Sequence, residues 1–121
     1  MASGKSTIVV TIKVAEEKEI RRLKRLYKEL PPKKLALAEG LIIQAARLRV
    51  RLDNLWEELQ EKGETEWFTQ SDKTEPYERE RPASRTFTAT DKSYQSIIKQ
   101  LNDMLPEENI PEADDLSEFR P

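Results

Sequence analysis

The feature that most constrains this chain is a regular series of apolar residues between positions 32 and 62. Its members, which we call the heptad seam, are separated alternately by three and four residues: Ala38, Leu41, Ala45, Leu48, Leu52, Leu55 and Leu59. This spacing predicts one long helix with a single apolar seam, roughly 45 Å in length at about 1.5 Å per residue. Ile42 and Trp56 lie beside the seam and widen it, which is typical of a helix with more than one neighbour.

A shorter helix is predicted before the long one, over residues 15–30. Its acidic residues come early and its basic residues late, which suits the helix macrodipole. Pro31 and Pro32 separate the two helices, because the residue before a proline disfavours helical geometry and a proline fits a helix start. Gly63 is expected to stop the long helix in the usual C-terminal position.

A third helix is predicted from Thr90 or Asp91 to Leu105, where Pro106 ends it. The connection over residues 64–90 is long for a loop in a compact domain. It therefore either holds a short hairpin, with strands near residues 66–70 and 85–89, or has a specific task. Residues 106–121 are acidic and interrupted by prolines, and we expect them to form a flexible tail.

Residues 7–14 read TIVVTIKV, in which β-branched residues alternate in the manner of a strand. A lone strand needs a partner for its backbone, so a partly ordered arm that settles on assembly is an equal alternative. We therefore assign residues 1–14 to an N-terminal arm or strand and residues 15–105 to a helical domain for oligomerisation and DNA contact. The predicted fold is mainly α, a helical hairpin or small bundle around the long helix, with a minor β-hairpin or N-terminal strand.

The chain has neither cysteine nor histidine. This excludes disulfides, thiolate chemistry, sulfur-ligated metals and the commonest general base, so we predict a protein without catalytic activity, cofactor or metal. Catalysis by carboxylates alone stays open as an alternative. Residues 4–7, GKST, end like a phosphate-binding P-loop, but the earlier glycine and the preceding strand are missing. With no membrane-length apolar run and no secretory signal, a cytoplasmic location in a bacterial host cell and no membrane partner are expected.

Charge is divided unequally along the chain. Residues 1–52 carry 13 Lys and Arg against 5 Asp and Glu, a net of +8, whereas residues 53–121 carry 8 against 18, a net of -10. The basic half can neutralise phosphates, and its cations predict a DNA contact: Lys18, Arg21, Arg22, Arg25, Lys28, Lys33 and Lys34. A solvated helix face, or a scaffold surface that meets acidic partners without binding DNA, is the alternative interpretation.

Apolar residues make up only 36% of the chain. So little apolar material predicts that neighbouring copies share the burial of the long helix. We assign this homo-oligomer contact to residues in and beside the heptad seam: Leu41, Leu48, Leu52, Leu55, Trp56 and Leu59. Periodicity leaves open whether the seam packs on the chain's own third helix, on another copy, or on both.

From Leu30 onward the chain resembles the small terminase subunits of tailed bacteriophages, especially short forms from phages of Gram-positive hosts. The resemblance rests on the order of segments over residues 30–63 and 68–106: an AARLR helix, a glycine stop, a Glu-Arg-Pro loop and a YQSIIKQL helix ending in Leu-Pro. It implies a DNA-packaging factor, a non-enzymatic ring of subunits that binds double-stranded viral DNA. It also implies regulation of the large terminase subunit, which carries the ATPase and nuclease.

Overall fold

The computed structural model describes residues 3–106, with side chains from Ile8 onward. In this range the chain forms three helices, α1 (Ser3–Leu26), α2 (Pro32–Lys62) and α3 (Pro82–Asp103), with two strands, β1 (Thr65–Phe68) and β2 (Tyr77–Glu80), between α2 and α3. The strands pair as an antiparallel hairpin. The mainly α fold with a minor β-hairpin is confirmed. The predicted acidic tail, apart from Pro106, lies outside the described residues.

The long helix α2 has the predicted bounds at both ends. Pro32 stands in its first turn, and the Leu35 amide donates to the Pro31 carbonyl at 2.9 Å. At the other end the Gly63 amide donates to the Leu59 carbonyl at 2.8 Å, and Gly63 has a φ of +85°. That backbone conformation favours glycine. Gly63 therefore allows the chain to leave the helix at this position, and α2 ends there.

The predicted strand over residues 7–14 is wrong, because α1 runs without a break from Ser3 to Leu26. Ile8 and Ile12 are four residues apart and fit a helix face as well as a strand, while β1 and β2 pair with each other and leave no strand partner. The helical cost of β-branched residues is small, roughly 0.5 kcal/mol each. The helix also ends earlier than predicted, at Leu26, and a turn over residues 27–30 follows.

The third helix begins at Pro82, eight residues before its predicted start. The predicted first strand is close to β1, but the second, over residues 85–89, is wrong because those residues are helical and β2 comes earlier. Pro82 suits a first helical turn. Ala83 and Thr90 are buried and Phe87 is half-buried, at a spacing of four and three residues that suits a helix packed on one side.

Both α1 and α3 pack against α2. The main core lies at the end of the bundle where α1 finishes and α2 starts, and consists of eight buried residues: Leu23, Tyr27, Leu30, Ala38, Ile42, Ala45, Ala46 and Leu101. Ala38 and Ala45 belong to the heptad seam, and their small side chains permit a close approach of the neighbouring elements. The Tyr27 hydroxyl donates to the Asn102 amide oxygen at 2.7 Å, which ties the turn after α1 to the end of α3.

Candidate nucleic-acid interface

One face of α1 lies opposite the side that packs in the core, and two of its residues, Lys18 and Arg25, also border a groove with Arg49 and Asp53 of α2. Its members, which we call the outer face of α1, are spaced by four, four, three and four residues and are all exposed: Val10, Val14, Lys18, Arg21 and Arg25. The opposite side of the helix carries Leu23 and Tyr27, which are buried in the core. The outer face is therefore apolar in its first half and basic in its second.

The basic half of this face is formed by Lys18, Arg21 and Arg25, which we call the basic stripe. Within residues 3–106 no carboxylate pairs with any of the three. Together with Lys24 they border a shallow depression of about 450 Å³. Cations without a carboxylate partner keep their donors available, so the stripe can bind an anion without first breaking an ion pair.

The remaining predicted DNA contacts divide into two groups. Arg22 donates to both carboxylate oxygens of Glu19, from Nε at 2.7 Å and Nη2 at 2.6 Å, and this hydrogen-bonded pair raises the pKa of Arg22. Lys34 Nζ donates to the Met104 carbonyl at 3.3 Å. Lys28 and Lys33 are exposed near the turn between α1 and α2. Five of the seven predicted cations are thus unpaired in the described part of the chain.

Sequence reasoning missed the cations of α2. Arg47 and Arg51 are exposed and line a groove of about 390 Å³ between α1 and α2, together with Ile12 and Glu16. Their four-residue spacing, which places both on one helix face, was the available signal, but as cations they were counted only in the net charge of residues 1–52. The nearby Arg49 is engaged instead, because its Nη2 lies 2.6 Å from Asp53 Oδ1, which raises the pKa of Arg49.

The residues of the predicted oligomer contact along the heptad seam differ in exposure, and the contact itself stays a prediction. Leu52 and Leu59 are buried by elements of the same chain, with 1% and 6% of their surface exposed, so neither can contact another copy. Leu41, Leu48 and Leu55 are half-buried. Trp56 is half-exposed, and its ring centroid lies 5.8 Å from that of Phe87 on α3.

The larger exposed apolar surface lies on the first half of α1. Ile8, Val9, Val10 and Val14 are each more than half exposed. Val10 and Val14, which we call the valine ridge, belong to the outer face of α1 and lie on the same side as the basic stripe. A helical segment that is apolar around most of its circumference is normally buried, so this surface is a stronger candidate for a contact between copies than Leu52 or Leu59.

The carboxylates that could have supported catalysis do not converge. Glu75, Glu78 and Glu80 are all exposed, and Glu80 forms an ion pair with Arg85 at 3.4 Å. Residues 3–106 contain no group of three side chains arranged to hold a metal ion. The backbone over residues 4–7 is helical, and a continuous helix there is not the loop that cradles phosphates in a P-loop.

The basic stripe and the carboxylates of the hairpin lie at different places along α2. Lys18 and Arg25 border a groove with Arg49, Val50 and Asp53 of α2, whereas β1 and β2 follow the helix end at Lys62, roughly 15–20 Å further along at about 1.5 Å per residue. No helix within residues 3–106 is both long and apolar enough to cross a bilayer.

Comparison with protein-family models, curated proteins and solved structures finds no match.

Proposed function

We propose that this protein is a non-enzymatic, DNA-binding assembly subunit of the small-terminase type, which engages double-stranded DNA as a homo-oligomer. The basic stripe supports this proposal most directly, since three exposed cations share one helix face and have no carboxylate partner within residues 3–106. Cations in this arrangement neutralise backbone phosphates and release counterions, which supplies affinity without base specificity. The closed ring and the regulation of a large terminase subunit follow from the family resemblance alone.

The separation of charge favours an approach by one end of the molecule. Lys28 and Lys33 extend the basic stripe towards the start of α2, so five unpaired cations lie at this end. The carboxylates of the hairpin lie beyond the other end of α2. The hairpin carboxylates lie about two Debye lengths or more from the basic stripe at physiological salt, so their repulsion of DNA bound there is largely screened.

The valine ridge supports assembly on the same helix face. Val10 and Val14 are 58% and 55% exposed, and they continue the line of Lys18, Arg21 and Arg25 along α1. A second copy that covered the ridge would remove apolar surface from water. It would also bring its own cations close to those of the first copy, so several subunits would present one extended basic surface.

Binding of a double-stranded DNA fragment, titrated across salt concentrations, tests the DNA part of the proposal. Five phosphate contacts predict a slope of log K against log salt of about -4 to -5. Replacing Lys18, Arg21 and Arg25 together by Gln should leave a slope of about -2 and weaken binding roughly a hundredfold near 0.1 M salt.

A matched control removes the same charge elsewhere. Lys62, Lys73 and Lys92 are exposed and lie outside the basic stripe, and their triple replacement by Gln should leave the slope nearly unchanged. Equal losses of DNA affinity in the two triple variants would indicate only a general effect of net charge. Absence of DNA binding by the unaltered protein at low salt would remove the proposal.

A protein-interaction scaffold is the rival function, and the segregation of charge between the two ends of α2 is compatible with it. Charge reversal of Arg21, Arg22 and Arg25 separates the two. If the variant loses assembly while DNA affinity stays the same, the scaffold is favoured; if DNA affinity falls while assembly is retained, the DNA-binding function is favoured.

A further inference from the structure

The β-hairpin presents two faces of different character. Its antiparallel register places Glu66 opposite Arg79 and Phe68 opposite Tyr77. Because side chains alternate along a strand, the remaining pairs lie on the other side of the hairpin. We call this second side the tryptophan face, and its members are all exposed: Thr65, Trp67, Glu78 and Glu80.

The first face is occupied by an arginine of the chain itself. The Arg79 guanidinium carbon lies 3.6 Å from the centroid of the Phe68 ring, and Arg79 Nη2 lies 3.3 Å from Glu66 Oε2. The Tyr77 ring meets Phe68 edge-on at 5.8 Å. An aromatic ring and a carboxylate of β1 thus hold the guanidinium of an arginine on β2.

The tryptophan face has the ring and the carboxylate but lacks the cation. Trp67 is 72% exposed and stands directly opposite Glu78. Glu78 accepts a hydrogen bond from the Thr65 hydroxyl at 2.7 Å, and no cation within residues 8–106 lies over the indole or pairs with Glu78. Glu80 differs, since Arg85 and Ser84 both contact its carboxylate. Trp67 and Glu78 are therefore available together to a group from outside the hairpin.

We propose that the tryptophan face docks an arginine-bearing segment of a partner protein other than a second copy of this chain, with a guanidinium stacked on Trp67 and hydrogen-bonded to Glu78. Tryptophan is the best aromatic partner for a cation, and the planar guanidinium can stack on the ring while its edge donates to a carboxylate. The first face of the hairpin holds the chain's own Arg79 with the same two groups, a ring and a carboxylate, although there both are on β1. A nucleic acid is disfavoured here, because Glu61 and Glu64 are also exposed beside the hairpin.

The guanidinium cannot come from the basic stripe of the same copy. Arg21 and Arg25 lie beside α2, whereas Trp67 lies five residues beyond its end. Lys24 pairs with Glu39 and Arg25 borders a groove with Asp53, so this separation is roughly 15–35 Å along α2 at about 1.5 Å per residue and exceeds the reach of an arginine side chain. The basic stripe of the same copy is therefore not the occupant.

Intrinsic tryptophan fluorescence of the full-length protein tests the docking surface without DNA. A Trp56→Phe background leaves Trp67 as the only tryptophan, and hexa-arginine peptide is then titrated at about 0.15 M salt, where exposed charges are screened. We expect a saturable change in Trp67 emission. Hexalysine should bind about two- to fivefold more weakly, because an ammonium cannot stack and donate in the same geometry.

Two glutamate variants separate a specific contact from general attraction. Glu78→Gln should weaken hexa-arginine binding about two- to fivefold. Glu75→Gln removes the same charge from the exposed loop between β1 and β2 and should leave the affinity unchanged. Both substitutions are at exposed positions, and circular dichroism checks that the fold is retained.

Three results would overturn the proposal. The first is equal affinity for hexa-arginine and hexalysine, or an equal effect of Glu78→Gln and Glu75→Gln on hexa-arginine affinity. The second is a Trp67 emission that does not saturate as hexa-arginine is added. The third is a Trp67 emission that changes with protein concentration alone and is restored by Arg21→Gln and Arg25→Gln, because the occupant would then be a second copy. DNA is absent from every measurement, so failure of the DNA-binding function would not alter these outcomes.

Discussion

Gly63 stops the longest helix of the fold, and its backbone conformation decides how that helix ends. Its φ of +85° and ψ of 171° lie in a region that is essentially restricted to glycine. A Cβ built at this position meets no atom within 4 Å, so backbone strain is the only cost of a side chain here. We predict that Gly63→Ala lowers the free energy of unfolding by about 1–3 kcal/mol, measured by urea denaturation.

Gly40 provides the matched control at the same scale. It lies within α2, is exposed, and also has open space around a built Cβ. Gly40→Ala should therefore raise the free energy of unfolding by about 0.5–1 kcal/mol, because alanine favours the helix that glycine opposes. Two substitutions of one type should change stability in opposite directions, and a common direction would contradict the conformational explanation.

Arg81 joins four elements of the fold at one point. Its guanidinium donates to the carbonyls of Lys62, Gly63 and Thr65 at 3.1, 3.1 and 3.3 Å. Its backbone amide donates to the backbone carbonyl of Glu64 at 2.7 Å. The end of α2, the start of β1, the end of β2 and the start of α3 are thereby held together. We predict that Arg81→Ala destabilises the protein by roughly 1.5–3 kcal/mol in thermal or urea unfolding.

Arg81→Lys and Arg85→Ala complete this test. A lysine ammonium is a single point charge and cannot span three carbonyls, so Arg81→Lys should recover only part of the loss. The Arg85 side chain is 78% exposed and, among the described residues, pairs only with the exposed Glu80, so Arg85→Ala should change stability by less than about 0.5 kcal/mol. Equal effects of Arg81→Ala and Arg85→Ala would show that the bonds to the α2 carbonyls contribute little.

The helices whose periodicity and end residues agreed could be predicted from the sequence, and those with conflicting patterns could not. α2 was predicted at both ends, because a heptad period, a double proline and a glycine all agreed. The first half of α1 was misassigned, since Ile8 and Ile12 satisfy a two-residue and a four-residue period alike. The start of α3 was missed for a related reason: the stretch around Thr86 and Thr88 is rich in strand-favouring residues, and only packing on α2 makes it helical.

At the scale of the whole molecule, the valine ridge leads to a prediction about assembly. Val14 is 55% exposed on the outer face of α1, and a glutamate there would be buried without a partner if another copy covers the ridge. We predict that Val14→Glu weakens self-association about ten- to hundredfold, measured as molar mass by light scattering over a dilution series.

Leu37→Glu is the matched control for this measurement. Leu37 is the more exposed of the two, at 71%, but it lies on α2 and outside the outer face of α1. Its substitution should leave the mass unchanged. A monomeric wild-type protein, or equal behaviour of the two variants, would rule out the ridge as the contact between copies.

The sequence by itself determined the mainly helical fold, the bounds of the central helix and the uneven division of charge, because these depend on periodicity, on proline and glycine, and on counting. Only the tertiary structure decided which of these residues stay exposed and unpaired, and so can contact a partner. Packing against the chain's own elements buried Leu52 and Leu59, and local ion pairing engaged Arg22 while leaving Arg21 and Arg25 unpaired. The physical reason is that burial and ion pairing depend on distances between side chains, and those exist only once the helices have packed.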